Sequence, residues 1–199
     1  VKYELHNEPF PYLIVDDYYD PLVEKEVFRE LSLIEKRLHH DGKVGYLNKH
    51  RLCVFMGEMY GEDEPHQSIV FRANHNIIPM IFERYRGVKE YKDNWFFYGL
   101  RCDKLATLFS YYENNTYYES HADASFFTGL TWMYHRPRKF EGGDLIFTDY
   151  DVTIECVHNR TIFFPGIVNH SVTEVLMKPE DEGKGLGRWC ISNFGSFKD

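Results

Sequence analysis

Long apolar runs are missing from this chain of 199 residues: none approaches the length of a membrane span. The opening stretch VKYELHNEPF has no signal-peptide core, so the expectation is a soluble, cytoplasmic protein, with a trimmed segment before Val1 left open. Cysteine is scarce as well. Cys53, Cys102, Cys156 and Cys190 are far apart and form no CxxC pair, which argues for reduced thiols rather than a disulfide framework. A secreted chain with the four paired, and glycosylation at Asn114 or Asn159, would be the contrary case. Excess positive charge is also absent. A net charge of −8 speaks against a partner held by phosphate neutralisation, hence no nucleic acid and no membrane among the expected partners. Finally, no Pro/Gly/Ser-rich stretch divides the sequence, and 43% hydrophobic residues suffice for one core, so residues 1–199 read as a single domain.

What is abundant is aromatic side chains, at 17%, and they favour sheets over a helical bundle. Residues 9–16, PFPYLIVD, read as a short buried strand. Asp20-Pro21 then signals a capped helix, with Leu22, Val23, Val27, Leu31 and Ile34 on one face. Residues 41–66, broken by Gly42, Gly45, Gly57 and Gly61, suggest a long loop or hairpin around a strand at 52–56. Within it the acidic piece 58–64 is a solvated turn, or a lid together with its neighbours at 57–66. Val70, Ala73, Ile77, Ile81 and Tyr85 give a second helical stripe over 68–86, split into two segments by Pro79. Thereafter the pattern is short β-rich runs at 105–112, 117–123, 126–134, 144–147, 152–157, 161–164, 169–175 and 188–194, which indicates a sandwich or jelly roll.

Chemistry concentrates in residues 117–172. If 117–123 is extended, His121 and Asp123 leave the same face of the strand, and His170 on a second run can close the group. Two histidines and a carboxylate cap one face of an octahedral ion and leave three positions open, which suits Fe(II) with a chelating cosubstrate and dioxygen. No cysteine lies close by in sequence for a closed thiolate zinc site. The tripeptide by itself proves little, since His39, His40 and Asp41 repeat it in a turn-like setting before Gly42 and Lys43.

Arg188 opens RWCISNF, and alternation puts Cys190 and Ser192 on its side of the sheet. A lone inward Arg makes sense if a ligand carboxylate pairs with it; the plain alternative is a strand-end Arg in solvent. Tyr111, Tyr118 and Tyr134 flank the candidate ligands and offer phenolic hydrogen bonds, or simply pack. Gly142-Gly143 reads as a tight turn, and Arg136, Arg138 and Lys139 before it as a solvated loop.

Together, PFPYLIVDDYYDP, YYESHAD, GGDLIF, PGIVNH and the strand begun by Arg188 resemble the 2-oxoglutarate- and Fe(II)-dependent dioxygenases of the prolyl 4-hydroxylase-like branch. The resemblance implies a mainly β fold with flanking helices (α+β): a double-stranded β-helix, or jelly roll, over about residues 95–197, with N-terminal helices at about 17–90 packed on one sheet. It implies iron on His121, Asp123 and His170, and 2-oxoglutarate held by Arg188 with help from Tyr134, Tyr111 and Ser192. Tyr118 would be a pocket residue near the metal. The reaction implied is O2-dependent hydroxylation of an unactivated C–H, first of all a peptidyl proline, with release of succinate and CO2 and with ascorbate as a recycling reductant. The substrate would thus be a peptide or protein, or else a free amino acid or other small molecule.

One departure stands out. Eighteen positions separate His170 from Arg188, about twice the usual spacing, as though 177–187 were an inserted turn or lid; otherwise Lys178 is a rival carboxylate partner. Phe194, where nucleic-acid demethylases carry a second arginine, argues against that substrate, and Asp123 argues against halogenation. A non-catalytic jelly-roll binding module is the remaining alternative.

Overall fold

The computed structural model describes residues 1–40, 52–61, 65–86, 88, 94–96 and 102–197. Thirteen strands and three α-helices appear among them. In chain order they are β1 (Lys2–His6), β2 (Tyr12–Asp16), α1 (Pro21–Ile34), β3 (His39–His40), β4 (Leu52–Phe55), α2 (Met56–Tyr60) and α3 (Ile69–Arg86). There follow β5 (Lys104–Tyr112), β6 (Thr116–His121), β7 (Phe127–Met133), β8 (Phe140–Gly142), β9 (Leu145–Phe147), β10 (Val152–Ile154), β11 (Arg160–Pro165), β12 (His170–Met177) and β13 (Arg188–Ser196).

The strands form two antiparallel sheets. The large one runs β1-β2-β11-β7-β13-β5-β4-β3, and the small one β10-β9-β12-β6, with β8 also paired to β12. This is the expected jelly roll, and alternation along its strands builds two cores. Tyr12, Ile14, Leu130, Trp132, Ile162 and Phe164 face into the space between the sheets. Leu13, Val15, Phe109, Phe163 and Ile191 face the other way, against Val27, Leu31 and Ile34 of α1 and Ile78, Ile81 and Phe82 of α3.

α1 begins where the sequence indicates. The Asp20 carboxylate accepts the amide protons of Leu22 (2.9 Å) and Val23 (3.1 Å), and Pro21 occupies the first turn, where no amide proton is needed. Leu22, expected on the buried face, is 79% exposed instead, because the stripe starts one turn later. Buried Glu30 accepts from Tyr60 Oη (2.7 Å) and the Val70 amide (2.9 Å), tying α2 and the start of α3 to α1. Pro79 does not split the second helix. α3 runs unbroken through it, with Val70, Asn74, Ile78, Ile81 and Phe82 as its buried stripe, since packing on the sheet outweighs one lost backbone hydrogen bond. Asn74 is buried because it accepts from Tyr18 and Tyr19 Oη and donates to Asn193 Oδ1 of β13. The turn residues Asp41, Gly42, Lys43 and Gly45, and positions 62–64 of the acidic piece, lie outside the described residues.

The anticipated insertion does join β12 to β13, but at the end of the barrel opposite His170. Gly183 and Gly185 take positive φ, the Gly183 amide donates to Glu113 Oε1 (2.9 Å), and the Gly187 amide donates to Tyr111 Oη (2.9 Å). These bonds fasten 178–187 to the β5–β6 turn, so the segment caps the closed end rather than covering the mouth. Nor is the basic run uniformly solvated: the Arg138 guanidinium donates to the carbonyls of Phe140, Gly142 and Cys156, while Arg136 and Lys139 are exposed. Asn159 is buried with its amide engaged by Tyr19.

His158 links α1 to the barrel. Its Nδ1 accepts the Tyr134 amide proton (3.1 Å), which leaves the ring proton on Nε2 to donate to Glu24 Oε1 (2.9 Å). A second ring proton would point at a donor. Burial pushes the imidazole below its ordinary value of 6.5; Glu24 opposes that push and Arg136 and His135 add to it. The unfolded chain therefore takes up the proton first, and the stability from this contact is full above pH 6.5 and lost as the pH falls from there through the folded value. Buried His170 contributes with the same sign. Urea midpoints are expected to drop between about pH 7.5 and 5.5, each of the two histidines contributing less than the limiting slope of about 1.4 kcal/mol per pH unit for one proton. A smaller drop in His158→Gln, on a lower baseline, isolates this residue's share.

Candidate metal centre

The pairing of β6 with β12 places His121 directly opposite His170, with ring centroids 4.3 Å apart. Asp123 reaches the same point from outside regular structure. β6 ends at His121, and the Asp123 amide donates to Gly166 O (2.8 Å), so a loop-to-loop bond aims the carboxylate rather than strand alternation. Close approach demands glycine at 166, where a Cβ would fall 2.4 Å from Ser125 O. The three side chains are the group among the described residues whose His, Asp, Glu or Cys ligand atoms come within 4.8 Å of one another. His39, of the duplicate tripeptide, lies far off on the edge strand with Nε2 3.1 Å from Glu58 Oε2, and Asp41 lies outside the described residues.

Proton positions follow from the carbonyls behind the rings. His121 Nδ1 is 2.9 Å from Glu119 O, and His170 Nδ1 is 2.9 Å from Val168 O. Only N–H can bond a carbonyl, so the neutral imidazoles present bare Nε2 lone pairs. Those lone pairs face Asp123 Oδ1 at 3.7 Å and Oδ2 at 3.5 Å, too far for hydrogen bonds. Three electron-pair donors converging without protons between them fit a cation. Burial pushes His170 down from its ordinary value, against the pull of Asp123 and with a contribution from His121, which favours the neutral, ligating form. The group is open to solvent on one side, with the His121 and Asp123 side chains 15% and 14% exposed.

Thr128, fully buried on β7, donates from Oγ1 to Asp123 Oδ2 at 2.6 Å and so leaves Oδ1 as the freer oxygen. Thr128→Val keeps the shape and removes the bond. Metal affinity is expected to fall by about 10–100-fold, the range typical for a group behind a ligand, with far-ultraviolet circular dichroism unchanged. Titration with Mn(II) or Co(II) measures it.

A cavity of about 60 Å³ runs inward from the triad, lined by Leu108, Tyr112, Tyr118, Leu130, Val172, Cys190, Ser192 and Phe194. Register orders its floor. Counting from the mouth, Thr128 stands level with Phe194, Leu130 and Leu108 with Ser192, Trp132 and Ser110 with Cys190, and Tyr112 with Arg188. Arg188, Cys190 and Ser192 thus share the inner face, as alternation predicts. Arg188 is completely buried at the closed end, its guanidinium 4.7 Å from the Tyr112 ring centroid and 5.7 Å from that of Trp132. None of its three nitrogens has a hydrogen-bond partner among the described residues. Its polar neighbour is the Cys156 thiol, which burial pushes up against the pull of the guanidinium and so keeps uncharged. Gly143, at φ 75°, makes room: a Cβ there would come within 2.7 Å of Arg188 Cδ. Lys178, the rival, is exposed.

The tyrosines divide. Tyr118 lies beside the triad, its ring 4.0 Å from that of His121. Tyr111 faces the helices, its ring tilted against that of Trp189 and its hydroxyl accepting from the Gly187 amide; Tyr112 takes the inward position. Tyr134 lies past the end of β7, and its hydroxyl accepts the His158 amide proton (2.9 Å). Inward alternation from Thr128 reaches Leu130 and then Trp132, so a tryptophan stands beside Arg188. Counting by twos from Asp123 through a turn of unknown length could not have shown this.

No protein-family model and no curated protein matches the sequence. Solved structures do share the fold. A prolyl-4-hydroxylase from Pseudomonas putida is 12% identical, with 94% of this chain and 93% of that one covered at a TM-score of 0.56. A viral collagen prolyl hydroxylase from Paramecium Bursaria Chlorella virus-1, solved with 2-oxoglutarate, is 12% identical over 92% and 93% of the two chains at 0.58. An oxidoreductase of the 2OG-Fe(II) oxygenase family from Burkholderia pseudomallei is 12% identical over 93% and 84% at 0.60. The fold is that of the 2-oxoglutarate/Fe(II) oxygenases.

Proposed function

We propose that this protein, folded as a 2-oxoglutarate/Fe(II) oxygenase, is an oxygenase that couples oxidation of 2-oxoglutarate to hydroxylation of an unactivated C–H, and that its substrate is a peptidyl proline. The observation that carries the reaction class is a triad of proton-free ligand atoms beside a cavity and, deeper on the same inner face, a buried guanidinium with no hydrogen-bond partner among the described residues. That pairing fits a molecule which chelates a metal at its head and is anionic at its tail. Isolated buried charges cost several kcal/mol each, so an Arg with no acceptor is retained for a ligand that supplies one.

His121, Asp123 and His170 would hold Fe(II), with Thr128 fixing which carboxylate oxygen ligates. Ferrous iron with 2-oxoglutarate and O2 supplies an oxidant able to take hydrogen from carbon, with succinate and CO2 released. Arg188 would neutralise the distal carboxylate of 2-oxoglutarate, with Ser192 Oγ at the cavity wall as a further donor. Leu108, Leu130, Val172 and Phe194 surround the reacting centre with apolar surface and keep bulk water from it. Tyr118, against His121, would bound the side from which substrate approaches.

The proline reading draws on the two prolyl hydroxylases that share the fold and on the apolar, aromatic edge that a pyrrolidine ring would meet. A negative net charge makes a phosphate-bearing substrate a poor fit. Anaerobic loading with Fe(II) and 2-oxoglutarate, then admission of air with proline-containing peptides, tests both levels. Succinate formation together with the gain of one oxygen atom on a peptide supports the full reading. Succinate coupled only to free amino acids or other small molecules moves the substrate; no iron-dependent succinate under any condition leaves a binding module.

A further inference from the structure

Six buried side-chain polar atoms lack a hydrogen-bond partner among the described residues, and they are not scattered. Three belong to Arg188; Ser110 Oγ and Trp132 Nε1 are two more, and both residues stand level with Cys190 on the same inner face, one step nearer the mouth than Arg188. The sixth, Asn193 Nδ2, is on the opposite face, where Asn193 Oδ1 is already bonded by Asn74 and Thr107. The five inner atoms are all hydrogen-bond donors or, for the hydroxyl, able to donate.

We propose that the Trp132 indole N–H and the Ser110 hydroxyl are binding groups for the distal carboxylate of the cosubstrate, completing with Arg188 a donor-only cradle at the floor of the barrel. The inference rests on the oxygenase reading and names residues which that reading does not require.

Simple packing does not account for the pair. Phenylalanine fills an apolar core as well as tryptophan does, without an N–H to satisfy, and alanine would serve in place of the serine; buried Trp N–H groups ordinarily find an acceptor. Buried hydroxyls elsewhere in the sheet are matched: Thr131 and Thr161 bond each other at 2.7 Å, and Thr116 bonds Glu113 O. Nor do the three inner residues satisfy one another: a guanidinium and an indole N–H only donate, and Ser110 Oγ, the one group of the three able to accept, bonds neither. A carboxylate has about four lone-pair sites, enough for two bonds from a planar guanidinium and one each from an indole and a hydroxyl. The Arg188 guanidinium carbon lies 5.7 Å from the centroid of the Trp132 ring, close enough for one carboxylate to bridge the two residues.

The isotope-labelled 199-residue chain offers a direct reading, because Trp95, Trp132 and Trp189 are its three tryptophans and Trp132→Phe identifies the indole N–H resonance in question. Titration with 2-oxoglutarate in the presence of Zn(II), a diamagnetic stand-in for iron, is expected to move the Trp132 indole proton downfield. 2-Oxobutyrate, which keeps the chelating head but lacks the distal carboxylate, should leave it in place. Calorimetry should show 2-oxoglutarate binding weakened about tenfold or more in Trp132→Phe and several-fold in Ser110→Ala, from the loss of bonds to a charged group, with Zn(II) affinity unchanged. If Trp132→Phe fails to fold, the wild-type resonance and Ser110→Ala carry the test. Tight 2-oxoglutarate binding with the indole proton unmoved, or with Ser110→Ala equal to wild type, would overturn the three-donor cradle and leave the oxygenase reading intact. No binding of 2-oxoglutarate to wild type would bring down both.

Discussion

His170→Ala is expected to abolish iron-dependent succinate formation, and His121→Ala and Asp123→Ala to do the same. Each removes one of three inward-facing ligand atoms, so the loss should exceed the about 10–100-fold typical of changes one layer behind a ligand. The reason lies in what remains. Without His170, the Nε2 of His121 and the carboxylate of Asp123 hold an ion from one side only, on a strand end and a loop, with the ring that braces them gone. Thermal melting separates this from damage to the fold. A metal that binds only the folded state adds about 2.7 kcal/mol of stability at a hundredfold excess over its dissociation constant. Mn(II) should therefore raise the melting temperature of wild type and not of the three variants. His39→Ala, on the edge strand beside Glu58, should leave turnover and the metal-dependent shift as they are. Full activity in any of the three triad variants would remove the basis for the metal centre.

Arg188→Met should do two opposite things. Cosubstrate affinity is expected to collapse, by about a hundredfold or more, since two charge-assisted hydrogen bonds of about 1.5–3 kcal/mol each are lost. The ligand-free protein, however, should become more stable. Its guanidinium is wholly buried beside the rings of Tyr112 and Trp132, with no carboxylate or carbonyl among the described residues to receive it. Replacing poorly compensated buried charge by an apolar side chain of similar length is typically neutral or stabilising by about 1–4 kcal/mol. Urea denaturation without ligand measures that gain, and calorimetry with 2-oxoglutarate the loss. A destabilised variant would mean that the ring faces already satisfy the charge, and that Arg188 is structural.

Much of this was legible in the sequence for a local reason. The Asp20-Pro21 cap, the period-two runs and the order of His121, Asp123, His170 and Arg188 are properties of short segments, and short segments carry their own signals. The strand at 188–196 shows it well: period two alone places Arg188, Cys190 and Ser192 on one face. Pro79 shows where a local signal fails, because the cost of proline within a helix is offset by packing that no window of sequence contains.

Taken alone, the sequence determined that two histidines, one carboxylate and one arginine follow one another along β-rich runs in an order that a jelly roll can fold together. Tertiary structure decided which neighbours join them: Tyr112 in place of Tyr111, Trp132 in place of Tyr134, Ser110 on the inner face, and Asp123 aimed by the carbonyl of Gly166 rather than by its strand. Successive side chains on a strand point to opposite faces, so a count wrong by one residue exchanges inside for outside. That count is fixed by hydrogen bonds to strands remote in sequence, such as β13 pairing with both β5 and β7.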